Sequence, residues 1–84
     1  MASINLTAGG NVTVAGASSK TRIQVNAALT GTIIVKDGTV TIATITNPTV
    51  GSQFEYWDFV TNVQVNPSTT CDITVCTYGG YGAK

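Results

Sequence analysis

Apolar residues return at every second position through most of this chain, and nowhere do they hold a helical spacing over ten or more residues. Successive side chains of a strand point to opposite faces, so this period makes half-buried strands rather than a helix with one apolar stripe. Valine, isoleucine and threonine, which suit a pleated surface, carry the pattern. Turn residues recur every eight to twelve positions, which predicts six to eight short strands. The expectation is a single all-β domain over residues 1–84, a small antiparallel β-sandwich or flattened barrel.

Along the chain, short strands are expected at Ile4 to Leu6 and Val12 to Val14, with Gly9 and Gly10 turning between them. Gly16-Ala17-Ser18-Ser19 breaks the alternation, which resumes from Arg22 to Leu29 with Ile23, Val25, Ala27 and Leu29 on the core face. Asp37-Gly38 is the clearest local signal, because those residue types supply the positive φ angles of a type I′ hairpin turn. That turn would set Lys36 against Thr39, Val35 against Val40, Ile34 against Thr41 and Ile33 against Ile42. Ile45 lies on the opposite parity, which predicts a bulge or the end of pairing near Ala43. Asn47-Pro48-Thr49-Val50-Gly51 reads as a turn.

Gln53 to Val60 is the aromatic stretch, with Phe54 and Tyr56 on one parity and Glu55, Trp57 and Phe59 on the other. A strand apolar on both faces lies between packed layers or is covered by a partner. Asn62 is expected to turn the chain, Val63 to Val65 to form a strand, and Asn66-Pro67-Ser68 to turn it again. In the last strand, Cys71 to Thr77, the residues Cys71, Ile73, Val75 and Thr77 would face the core. The Gly/Tyr-rich tail, residues 78–84, is expected to need a neighbour to become ordered.

Charge and cysteine content narrow the function. There is no histidine, the four basic and four acidic side chains are scattered singly, and no basic cluster exists to meet a phosphate backbone. Nucleic acid is not an expected partner. Neither a signal peptide nor a membrane-spanning apolar run is visible, so a membrane is not expected either, and assembly in the cytoplasm is. Cys71 and Cys76 on one strand would lie roughly 16 Å apart, too far for a disulfide. They read as free thiols without a redox or metal role, and no cofactor is implied. A domain this small often gains support from self-association.

No catalytic residues are expected. Glu55 and Asp58 could be an acid/base pair, but an offset of three puts them on opposite faces of a strand, and Asp72 lies far along the chain. Trp57, with Tyr56, Tyr78 and Tyr81 as possible neighbours, is open to three readings: core packing, a subunit interface, or a platform for sugar rings. The candidate interface residues are Phe54, Tyr56, Trp57, Phe59, Tyr78 and Tyr81. Threonines such as Thr13, Thr39, Thr41 and Thr74 replace charge on the outer faces, and hydroxyls are cheaper to cover than Lys or Glu.

The succession Arg22-Ile23-Gln24-Val25-Asn26, the hairpin at 31–38, Ile42-Ala43-Thr44-Ile45, the aromatic strand, Val63-Gln64-Val65 and Asp72-Ile73-Thr74-Val75 resembles small β-sandwich virion proteins of tailed bacteriophages, including cyanophages. The resemblance runs from about Asn5 to Tyr78 and consists of strand order rather than a catalytic signature. It implies a non-enzymatic capsid decoration or cement protein located in the virion. Such a protein would form a homo-oligomer, with a trimer favoured, and bind the major capsid protein or another virion protein. The alternative it implies is a carbohydrate- or receptor-binding module of a tail, spike or fibre.

Overall fold

A chain with alternating strands and no amphipathic helix must satisfy its backbone within sheets and cover its apolar face with more sheet. The computed structural model, which describes residues 2–79, does both. Its six strands are β1 (Ala2–Leu6), β2 (Val12–Val25), β3 (Thr32–Asp37), β4 (Val40–Thr46), β5 (Gln53–Pro67) and β6 (Ile73–Tyr78). All pairs are antiparallel in one sheet ordered β1-β6-β2-β5-β3-β4. The all-β expectation is met.

The long pair β2 and β5 organises the fold. β6 joins β2 only along Lys20 to Val25, and β3 joins β5 only along Val63 to Pro67. The β2/β5 register shifts twice, at Thr13/Ala15 opposite the end of the β3-paired segment and at Gly16/Ser18 between the two segments. Bulges bend and twist a strand, so one sheet can turn back over its own inner face. Ile23, Val25, Ile73 and Val75 from one half share a core with Ile33, Val35, Val63 and Val65 from the other, each no more than 1% exposed. A shortest dimension of 16 Å accommodates two layers spaced about 10 Å apart. Among the described residues the strands form one open antiparallel sheet with β1 and β4 at its edges, in keeping with the expected small all-β domain.

Several local expectations are corrected. Gly16-Ala17-Ser18-Ser19 does not break a strand, and Asn62 does not turn the chain, because both lie inside the long pair. Their loose alternation is the signature of bulges rather than of loops. The strand beginning before Arg22 ends at Val25, so Ala27 is exposed while Leu29 packs in the core from a loop. Pro67 closes β5 rather than turning it, and the last strand starts at Ile73, which leaves Cys71 half-buried outside it. Tyr78 belongs to β6 and is not part of a tail.

The β3/β4 hairpin forms, shifted by one residue from its expected register. Asp37 pairs with Val40, so the turn is Gly38-Thr39, and φ is positive at Gly38 (62°) but not at Thr39. Type I′ needs both, so the turn is not of that type. A bulge at Ile42 follows, and Val35 faces Ala43, Ile34 faces Thr44 and Ile33 faces Ile45. The expected pairing of Val35 with Val40 and Ile33 with Ile42 does not occur; Val40 is 62% exposed and Ile42 44%. The parity change near Ala43 was legible in the sequence, but its effect on the pairing required the register.

The inner face also holds hydroxyls. Thr21 is fully buried between Tyr56 and Thr77, and its Oγ1 has no hydrogen-bond partner among the described residues. An unpartnered buried hydroxyl costs about 1–3 kcal/mol. Thr21→Val, which keeps the branched shape, is expected to raise stability by about 1 kcal/mol in urea denaturation. A loss of stability would mean that the hydroxyl is satisfied in solution.

Candidate functional site

The aromatic strand divides at Asp58. Its φ of 64° kinks the strand, and because Ser18 opposite Phe59 is buried while Lys20 opposite Trp57 is not, both strands change face together here with no residue added; Phe59 turns inward although it shares parity with Trp57. Phe59 is 1% exposed, whereas Trp57 is 58% exposed. Phe59 therefore leaves the set of candidate interface residues, and the core reading of Trp57 is overturned. Phe54 and Tyr56 lie half-buried against the core, with Tyr56 paired to Thr21. Burial pushes the Tyr56 phenol above its ordinary pKa. Tyr81 lies outside the described residues.

Three strands place Tyr78, Lys20 and Trp57 in one outward row, since Lys20 is registered against both aromatics. The Lys20 ammonium lies 5.2 Å from the centre of the Tyr78 ring and 5.9 Å from that of Trp57. Its Nζ also pairs with Glu55 Oε2 at 3.2 Å. Both partners are about one-third exposed, so the pair adds under about 1 kcal/mol to stability. What it does is hold a donor and an acceptor beside an open indole. Arg22, in the next outward row between Cys76 and Glu55, makes no ion pair among the described residues. The sequence reading did not single out Lys20, because cross-strand neighbours are far apart in the chain.

A second surface lies at the other end of the sheet. Among the described residues, strand β4 pairs only with β3; it carries no charged residue and exposes Val40 and Ile42. Near its turn, Val60 is 59% exposed. This region is anchored by Asp37, whose carboxylate accepts hydrogen bonds from the backbone N–H of Val60 (3.0 Å), Thr61 (2.9 Å) and Asn62 (3.3 Å). Asn62 Oδ1 in turn accepts from the Gly38 N–H at 3.0 Å. The amides of Val60 and Thr61 hold the Asp37 pKa below the ordinary aspartate value. Asp72 is lowered in the same way by the side-chain amides of Asn5 (2.9 Å) and Asn26 (3.2 Å).

A depressed folded pKa gives stability that is present above the unfolded value, near 3.9, and lost as pH falls through the folded value. The melting temperature is therefore expected to fall below about pH 4. Asp37→Asn should lower it at pH 7 and flatten that acid limb in calorimetry. An unchanged acid limb in this variant would remove Asp37 as its source.

Glu55, Asp58 and Asp72 are not gathered into one site: Glu55 pairs with Lys20, Asp58 sits at the left-handed kink in β5, and Asp72 is held by the two asparagines. Both cysteines are free, and burial together with Asp72 pushes the Cys71 thiol pKa up. No group of three or more Cys, Asp or Glu side chains able to hold a metal occurs among the described residues. Comparison of the chain with protein families, curated proteins and solved structures finds no match.

Proposed function

We propose that this chain is a non-enzymatic structural component of a tailed-phage particle, a decoration or cement protein that self-associates and binds between coat subunits. The supporting observation is strand β4, an uncharged edge with Val40 and Ile42 exposed. Proteins that remain monomeric usually blunt such an edge with charge, proline or a covering segment. An edge without these devices can add a strand from another chain through main-chain hydrogen bonds. The particle itself enters through the strand-order resemblance to small virion proteins.

Light scattering on the purified protein tests the self-association. A mass of three chains is expected, shifting to one chain when Val40 and Ile42 are both replaced by lysine, with the melting temperature of the variant retained. A single-chain mass at several hundred micromolar would overturn the reading. So would a trimer that survives both lysines, since the contact would then lie elsewhere.

A further inference from the structure

We propose that Trp57, Lys20 and Glu55 form a binding site for a hexopyranose sugar on the outer face of β2, β5 and β6. This face is separate from the β4 edge, so the site does not depend on the assembly reading.

Trp57 is the chain's one tryptophan and more than half of it meets solvent, presenting an apolar π surface. A pyranose has an apolar C–H face to lie on such a ring and a rim of hydroxyls that both donate and accept. Over one face of the ring, Lys20 supplies only donors, and the Glu55 carboxylate it pairs with, 3.2 Å away, supplies only acceptors. Neighbouring hydroxyls of one sugar can therefore engage one partner each. The ion pair already fixes both side chains, which lowers the ordering cost of binding. Arg22, across from Glu55 and without an ion pair among the described residues, adds a further donor.

The same chemistry argues against other occupants. An apolar protein surface would strip water from the Lys20–Glu55 pair without replacing its hydrogen bonds, whereas hydroxyls replace them. A strongly anionic ligand would meet the Glu55 carboxylate within the site.

The lone tryptophan is its own reporter. Fluorescence titration with the methyl glycosides of glucose, galactose, mannose and N-acetylglucosamine should give, for at least one, a saturable change in Trp57 emission. The dissociation constant is expected on the order of 1 mM, typical of so small a ligand. Glu55→Ala and Lys20→Met should each weaken binding about tenfold while leaving the melting temperature and the light-scattering mass unchanged. No saturable change with any glycoside up to about 50 mM would overturn the proposal. It would equally fall if binding persisted undiminished in both variants, or if Trp57 emission changed with protein concentration alone, which would place the ring in a subunit contact. The assembly reading is judged by mass, so the two can fail separately.

Discussion

Phe59→Ala is expected to remove a large share of the domain's stability, while Trp57→Ala, two positions away, should cost little. Phe59 is the largest fully buried side chain and lies on β5, the strand that joins the two halves of the sheet. Truncating a buried phenylalanine costs about 3–5 kcal/mol. At roughly 0.05–0.15 kcal/mol per residue, a domain of this length has on the order of 4–13 kcal/mol in total. The variant should melt at least about 12 °C lower by far-UV circular dichroism, taking about 4–8 °C per kcal/mol for a domain of this size. Trp57 is mostly solvent-exposed, and its truncation should stay within about 1 kcal/mol. Equal losses in the two variants would show that the parity reversal at Asp58 does not exist in solution.

Gly31→Ala is the second large effect, expected at about 2–3 kcal/mol. Gly31 has φ of 146°, which an L side chain adopts only with strain, and a Cβ there would run into Ser68 Oγ. That oxygen accepts a hydrogen bond from the Thr32 N–H at 2.9 Å. Moving it would loosen the start of β3, where Ser68 N–H also donates to Thr32 O at 2.8 Å. Gly16→Ala is the control: Gly16 lies within β2 without positive φ, and a Cβ there meets nothing within 4 Å. It should be neutral or stabilising by up to about 1 kcal/mol. Urea titration of the two variants gives the difference; a Gly31→Ala loss below about 0.5 kcal/mol would mean that the loop relaxes freely.

Particular residues show where sequence reading succeeds. In β6, Ile73, Val75 and Thr77 face the core as their alternation requires, and Ile23 and Val25 do so in β2. Parity is reliable there because no bulge interrupts these segments. It fails at Phe59, next to the left-handed kink at Asp58, and at Val40 with Ile42, where a bulge adds one residue and moves every later side chain to the other face. The site follows the same rule: Trp57 was legible as a candidate, but whether it pointed in or out was not.

The sequence alone determined the all-β class, the location of the β3/β4 hairpin and the inward residues of the unbulged segments, since these follow from period two and turn chemistry within a few residues. Tertiary structure decided which strands pair, where the long β2/β5 ribbon bulges, and hence that Lys20 stands between Trp57 and Tyr78 while β4 is left as an uncharged edge. Those features depend on hydrogen-bond register between segments distant in the chain. A local pattern fixes the face a side chain can take only until the first bulge, and it carries no information about the neighbour across the sheet.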